Sequence, residues 1–498
     1  MNILKSRCKI RKFSFLIQTR NLALKRFPNY SILTDKDYRK NRCLDDVNSL
    51  DSYNEDWLKS CKGNSKLVLL PKTTLELSEI LKYCYAKNLA ICPQGGNTGL
   101  VGGSVPVFDE IIISTRLMNQ IIKLDEESSI LSCQSGCILQ NLDDYVSQRS
   151  LIMPLDLGAK GSCHIGGNVS TNAGGLRLLR YGSLKGNVLG LEVVLSNGEI
   201  LNSMNVPLRK DNTGFDTKQI FIGSEGQLGF ISGVSILCPP RPRAANLILV
   251  ACNGKSFQNV IQIFKTAKLE LNEILSAFEF MDRESMRAVK ENSNLENPFS
   301  IEVSEKCDFY CLVETHSSDE ESALRKIENF YSKLSEKDLG LDCIVAENKT
   351  QFSYIWSLRE RIAESLTKDG HNYKYDISLP LNKMYDLVID IRKRFSENDA
   401  KNYFRRCIGY GHLGDSNLHL NVTSEKYDEK IFKLLEPFLY EWTMKNNGSI
   451  SAEHGLGLKK KNYIYYSKTK ENVEYMRKLK KLFDPKLLLN PYKTLPDF

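Results

Sequence analysis

Three of the chain's six histidines fall between residues 412 and 454, each beside other groups that can do chemistry. The segment Gly411-His412-Leu413-Gly414-Asp415-Ser416-Asn417-Leu418-His419-Leu420-Asn421 sets two histidines seven apart, across a turn that leads into a strand. Strand alternation turns His419 and Asn421 to one face and Leu418 and Leu420 to the other. A second segment, Ser449-Ile450-Ser451-Ala452-Glu453-His454-Gly455, reads as a short strand delivering Glu453 and His454 into a glycine turn. Two histidines and a glutamate are a ligand set for zinc with one coordination position open, and a further histidine suits proton transfer near neutral pH. Spacing this loose is equally that of ordinary core or surface histidines, and neither HxxEH nor HExxH occurs.

Anion-binding groups lie upstream. Arg359 falls in a helical pattern with Trp356, Leu358, Ile362 and Leu366, and Lys374 opens the strand that follows. Arginine offers a planar fork to a carboxylate, and lysine a compact charge. By itself Arg359 fits a surface ion pair with Glu360 or Glu364 just as well.

The other concentration of chemistry is glycine. Residues 94–103 read Gln-Gly-Gly-Asn-Thr-Gly-Leu-Val-Gly-Gly, directly after the strand Ala90-Ile91-Cys92. Three more clusters follow: Gly158-Ala159-Lys160-Gly161, then Gly166-Gly167-Asn168 with Asn172-Ala173-Gly174-Gly175, then Gly223-Ser224-Glu225-Gly226. Such loops let backbone amides approach an anion without a Cβ in the way. Each is a tight turn when taken singly; together they can wrap a long ligand carrying a pyrophosphate. GxGxxG opening a helix and GxxxxGK[ST] are both absent, which argues against a nicotinamide Rossmann fold and a P-loop.

These groups must be carried by a regular scaffold. Residues 67–93 read as strand, helix and strand, with Thr73-Thr74-Leu75-Glu76 as a capping box and Leu77, Ile80, Leu81 and Cys84 as the buried stripe. Ser196-Asn197-Gly198 closes a hairpin. Pro239-Pro240-Arg241-Pro242-Arg243 is a stiff linker, after which strands near 247–252, 276–280 and 309–314 alternate with helices near 255–269 and 319–335. The expected architecture is α+β, with a domain carrying the glycine loops at 50–241, an antiparallel sheet with helices at 242–470, and a C-terminal segment at 471–498.

The net charge of +8 is misleading as a sign of nucleic-acid binding. Residues 1–30 hold eight basic groups and no acid, so the rest of the chain is neutral. That basic, acid-free segment has the composition of a mitochondrial transit peptide, or else of a basic tail. No run approaches the ~20 apolar residues of a membrane span. The fourteen cysteines are scattered without CxxC pairs, as free thiols in a reducing compartment would be.

The motifs Pro93-Gln94-Gly95-Gly96-Asn97-Thr98-Gly99, Pro154-Leu155-Asp156 through Gly175, Arg180-Tyr181-Gly182, Phe221-Ile222-Gly223-Ser224-Glu225-Gly226, Leu482-Phe483-Asp484-Pro485 and Leu489-Asn490-Pro491 together resemble the vanillyl-alcohol-oxidase or PCMH-type FAD flavoproteins. The resemblance spans about residues 50–498. It implies a two-part FAD-binding domain to which the C-terminal segment returns. It also implies FAD contacts from Pro93, Gly95, Gly96, Asn97, Thr98, Gly99, Gly161, Gly166, Gly167, Asn168, Asn172, Gly174, Gly175, Gly182, Ile222, Gly223 and Asn490. Some members tether FAD through a histidine in the first loop; Asn97 and Thr98 stand there, so FAD is expected to be noncovalent.

Within that family the histidine segments look like those of the D-2-hydroxy acid dehydrogenases. The likeness implies zinc at His412, His419 and Glu453, His454 as base, and substrate contacts from Arg359, Lys374, Asn421 and His454. It implies oxidation of D-2-hydroxyglutarate to 2-oxoglutarate in the mitochondrial matrix, with electron-transferring flavoprotein as acceptor. The usual threonine at position 363 is alanine here, so one hydroxyl donor is missing. Competing expectations are D-lactate oxidation with cytochrome c as acceptor, a zinc hydrolase with a nucleotide-binding domain, and a noncatalytic FAD-binding protein. No motif distinguishes a monomer from a homodimer.

Overall fold

The computed structural model describes residues 43–45, 47–400 and 403–497, so the expected presequence at 1–30 lies outside the described residues. Where the sequence pattern asks for strand, helix and strand, the chain builds a small sheet in the order β1 (Cys43–Leu44), β2 (Val68–Leu69), β4 (Ile111–Ser114), β3 (Ile91–Gln94). Strands β2, β4 and β3 are parallel, and β1 is antiparallel to β2. The helix Thr74–Lys87 starts where Thr73 Oγ1 accepts the Glu76 N–H (3.2 Å) and ends at Asn88 in the left-handed region, φ 54°. Its Leu77, Ile80, Leu81 and Cys84 pack on Ile91, Ile111 and Ile113 of the sheet.

A second sheet is wholly antiparallel, in the order β5 (Ile121–Asp125), β6 (Ile130–Gln134), β9 (Phe230–Leu237), β7 (Val188–Val194), β8 (Ile200–Asn202). The β7–β8 hairpin turns at Gly198, φ 85°, as Ser196-Asn197-Gly198 predicts.

Beyond residue 243 comes a seven-stranded antiparallel sheet. Its order is β13 (Gly340–Val345), β10 (Ala244–Cys252), β12 (Phe309–Ser317), β11 (Leu275–Asp282), β15 (Arg406–His412), β16 (Asn417–Ser424), β14 (His371–Ser378). Its two faces differ in purpose. One carries Ile248, Val250, Phe278, Phe280, Val313, Leu418 and Leu420 under the helices Phe257–Glu270, Glu320–Glu336 and Asp386–Glu397. The other buries Leu247, Leu249, Met281, Leu312, Ile408 and Tyr410 under the helices Arg283–Ser293, Lys349–Glu360 and Ile362–Thr367. Polar residues interrupt this second face toward β15, β16 and β14, and there the site forms.

The C-terminal segment returns to the first sheet: Ile91 N–H donates to Leu488 O and Asn490 N–H to Ile91 O, both at 2.8 Å. All thirteen described cysteines are free thiols, ten of them buried. No helix among the described residues is long and apolar enough to cross a membrane.

Candidate active site

The first glycine loop leaves β3 and, with the helix Ile165–Thr171, Gly226, Phe230 and Asn490, walls a cleft of about 150 Å³. Of the expected cofactor contacts, Pro93, Gly95, Gly96, Asn97, Thr98, Gly99, Gly166, Gly167, Asn168 and Asn490 line it. An adjoining cavity of about 470 Å³ shares Gln94, Gly95, Gly96, Asn97 and His164 and adds Tyr53, Arg116 and Asn141. A long ligand thus has two contiguous compartments. At Gly96 a Cβ would overlap the Ser162 carbonyl oxygen, so glycine there allows the two loops to close on each other.

Gly161, Asn172, Gly174, Gly175, Gly182, Ile222 and Gly223 do not line the cleft. Asn172 caps the helix Ile165–Thr171 in the left-handed region and accepts from Ser183 Oγ and Lys185 N–H. Gly182 and Gly223 are left-handed turns, φ 78° and 77°, and Ile222 belongs to the core behind them. Gly174 and Gly175 face Glu453 instead: Gly175 N–H donates to Glu453 Oε1 at 3.2 Å. Two residues to which the sequence assigned no role also matter. His164 Nδ1 lies 2.8 Å from Thr115 Oγ1, and burial, helped by the Arg116 charge, holds its pKa down at about 4. Glu225 receives the Leu456 and Gly457 N–H groups at 2.9 and 2.8 Å, stitching the Glu453–Gly457 loop to the cofactor half.

On the polar face of the large sheet, strand register gathers the predicted residues. His419 of β16 opposes Asp376 of β14 and Tyr410 of β15, Asn421 opposes Lys374, and His412 opposes both Asn417 and Glu279 of β11. Residues directly opposite in an antiparallel pair share a face. The His412 and His419 rings lie 5.1 Å apart, and His419 stacks on His454 at 6.3 Å and 12°. His412 Nε2 is 3.3 Å from Glu453 Oε1, and its Nδ1 is 2.7 Å from Glu279 Oε1. His454 also lines the glycine-walled cleft, so the histidine cluster and that cleft share a wall.

The expected strand at 449–455 is one bridge, Ser449 to Ser378, followed by a loop. The reason is Asp376. Its Oδ2 accepts the N–H groups of Ala452, Glu453 and His454 at 3.1, 3.0 and 3.0 Å, so those donors are unavailable to a neighbouring strand. Burial opposes the Asp376 charge, but His454, Lys460, His419 and these donors outweigh it and hold the pKa well below the usual carboxylate range. The helical pattern through Arg359 and Leu366 breaks at Arg361 into two helices. Arg359 is not a surface residue: it is 8% exposed, lies 4.7 Å over the Tyr410 ring, and pairs with Glu279 rather than Glu360 or Glu364.

Charges in the pocket are strongly perturbed. For His412 burial is outweighed by Glu279 and Glu453, raising the pKa to about 9. Burial and the His412 charge push His419 well below 6.5, and burial lowers His454 and Lys374. Lys374 has no hydrogen-bond partner among the described residues. Asp376 Oδ1, both amide atoms of Asn417, His419 Nδ1 and Asn421 Nδ2 are buried without partners. A native interior leaves few such groups, and their concentration on one face makes it the candidate ligand site. Yet among the described residues no three His, Cys, Asp or Glu side chains are drawn into a metal-coordinating group. His412, His419 and Glu453 are neighbours, not a preformed coordination sphere.

The cofactor half and the large-sheet half match known families in turn. Residues 65–203 match the FAD binding domain, and residues 241–494 match the FAD linked oxidases, C-terminal domain. Mitochondrial D-2-hydroxyglutarate dehydrogenase of Danio rerio is 56% identical over 456 residues, 92% of this chain and 83% of that one. The chain belongs to the D-2-hydroxyglutarate dehydrogenase family of FAD-linked oxidases. A D-2-hydroxyglutarate–pyruvate transhydrogenase of Saccharomyces cerevisiae is 42% identical over 485 residues, 95% of this chain and 97% of that one. In fold, p-cresol methylhydroxylase superposes with a TM-score of 0.75 at 13% identity, over 96% of this chain and 98% of that one. Membership makes the chain an FAD-dependent hydroxy acid dehydrogenase of the PCMH-type α+β fold. It removes the zinc-hydrolase and noncatalytic readings.

Proposed function

We propose that this protein oxidises D-2-hydroxyglutarate to 2-oxoglutarate in the mitochondrial matrix. The observation that carries the reading is His454, which stacks on His419 while lining the cofactor cleft. FAD is held noncovalently, supported by Asn97 and Thr98 in the first loop and by the ten expected residues around the cleft. His412, His419 and Glu453 suit a divalent cation, zinc in this reading: the donor types are right, His419 Nδ1 is unpartnered, and Glu279 orients His412 from behind. Bound FAD supplies the hydride acceptor, and a bound cation supplies Lewis acidity.

The chain's own residues do the rest. His454 keeps Nδ1 toward Asp376 (3.7 Å), leaving Nε2 to take the hydroxyl proton; its lowered pKa keeps the ring neutral and ready to accept. Arg359 and Lys374 hold the second carboxylate, and Asn421 Nδ2 donates to a substrate oxygen. The glycine walls exclude water. Electrons leave to electron-transferring flavoprotein, and residues 1–30 act as the matrix presequence, in accord with relatives named mitochondrial. Domain limits of 50–241, 242–470 and 471–498 belong to the same proposal.

Anaerobic bleaching of the bound flavin by a panel of D- and L-2-hydroxy acids tests it. D-2-hydroxyglutarate should bleach fastest and its L-isomer not at all; stronger bleaching by D-lactate would overturn the substrate. Pyruvate as the electron acceptor is a second reading, favoured by the yeast transhydrogenase relative and by Ala363, which gives the dicarboxylate one donor fewer. Flavin reoxidation by pyruvate, with D-lactate formed, would establish it.

A further inference from the structure

We propose that Glu279 is a positioning residue that couples two binding events, capture of a substrate carboxylate at Arg359 and retention of a divalent cation at His412. The inference rests on the cation and carboxylate roles proposed above.

Glu279 lies in the middle of β11, 1% exposed, directly opposite His412. A buried carboxylate needs partners, and this one divides its oxygens between two. Oε1 meets His412 Nδ1 at 2.7 Å, while Oε2 accepts from Arg359 Nε at 2.9 Å and from Nη2 at 2.7 Å. With a cation in place of the Nε2 proton, the first bond would hold the remaining proton on Nδ1 and leave the Nε2 lone pair on the side of Glu453. The second bond occupies one edge of the guanidinium above the Tyr410 ring, so its remaining N–H donors are left for an anion. The helix carrying Arg359 has an independent anchor: Trp356 Nε1 donates to Glu314 Oε2 at 2.8 Å.

One carboxylate therefore feels both ligands. When a substrate carboxylate draws on the Arg359 charge, Glu279 is less neutralised and polarises His412 more strongly, making it a better donor to a cation. By linkage, the cation must tighten the anion by the same factor. A monocarboxylic 2-oxo acid can reach the cation but leaves Arg359 without its second carboxylate, so it should not engage the relay.

The test uses flavin-loaded protein freed of metal by chelation and titrated with Co2+, read by the visible ligand-field bands. Titrations are run alone, with saturating 2-oxoglutarate, and with saturating pyruvate. In the wild type, 2-oxoglutarate should tighten Co2+ more than pyruvate does. In E279Q, Co2+ should bind about 10–100-fold more weakly, and the two acids should become equivalent. An E279Q protein with unchanged Co2+ affinity and an unchanged difference between the acids overturns the coupling alone. Wild-type protein that takes up no Co2+ overturns the cation reading and the coupling with it. W356F loosens the same helix while leaving Glu279 in place and should keep the difference between the acids; if it erases that difference as E279Q does, the role is structural and the proposal fails. Should E279Q not fold, E279D replaces it, with the difference between the acids reduced but present.

Discussion

Asp376 Oδ2 gathers three successive backbone N–H groups, those of Ala452, Glu453 and His454, and lies 3.7 Å from His454 Nδ1. A single buried carboxylate thus fixes both the path of the loop and the orientation of the imidazole on it. Hydrogen bonds to a charged acceptor are worth about 1.5–3 kcal/mol each, and the loop has no strand partner to replace them. D376N should lower kcat by about 10²–10⁴-fold while retaining flavin absorbance; stopped-flow flavin reduction measures it. Wild-type reduction rates in D376N would separate His454 from the chemistry.

The Lys374 side chain has no hydrogen-bond partner among the described residues and lies opposite Asn421 across β14 and β16. K374A removes a charged donor worth about 1.5–3 kcal/mol, so KM for D-2-hydroxyglutarate should rise about tenfold or more. KM for D-lactate, which lacks the second carboxylate, should move far less. Equal rises for both acids would place Lys374 on the carboxylate they share.

Position 363 tests the same end of the pocket by addition. Ala363 is the half-buried second residue of the helix Ile362–Thr367. A363T restores a hydroxyl and should lower KM for the dicarboxylate by about tenfold, with kcat little changed. An unchanged KM would mean that this hydroxyl does not reach substrate here.

Gly174 separates the cofactor half from Glu453, and a Cβ there would stand 3.1 Å from Glu453 Oε1. G174A should displace the carboxylate toward His412. Turnover should fall with flavin content intact, since Gly174 does not line the cleft. Loss of flavin instead would return Gly174 to the cofactor contacts.

His164 gives a pH dependence. In the folded, flavin-free protein its pKa is held down at about 4 by burial, against 6.5 for the free group. Between those values the unfolded chain binds the extra proton, so stability falls as pH drops from 6.5 toward 4. The loss is up to about 3 kcal/mol. Thermal midpoints of the flavin-free protein measured across that window should fall more steeply in the wild type than in H164N.

Local signals carried the scaffold well. The capping box at Thr73, the stripe from Leu77 to Cys84 and the hairpin glycine at 198 each act within a few residues, and each formed as their spacing requires. His419 and Asn421 could be placed on one face because strand alternation is a local rule. Glu279 could not: it is one carboxylate in an apolar strand, and its partners lie 80 and 133 residues away. The loop at 449–455 differs from expectation for a related reason, since Ser449-Ile450-Ser451 alternates as a strand does but Asp376, some 76 residues earlier, claims the amides that follow. Glycine richness located the cofactor loops but not the division of labour among them, because a left-handed turn at Gly182 or Gly223 and a cleft wall at Gly95 or Gly167 need the same residue type.

The cleft opposite Pro93 is finished by Asn490, whose N–H is taken by Ile91 O and whose amide donates to Gly103 O and Glu225 O. A growing polypeptide emerging from the ribosome therefore exposes an incomplete cradle until nearly four hundred further residues have been made. A chain released before Asn490 should therefore be colourless, however well its earlier portions have folded.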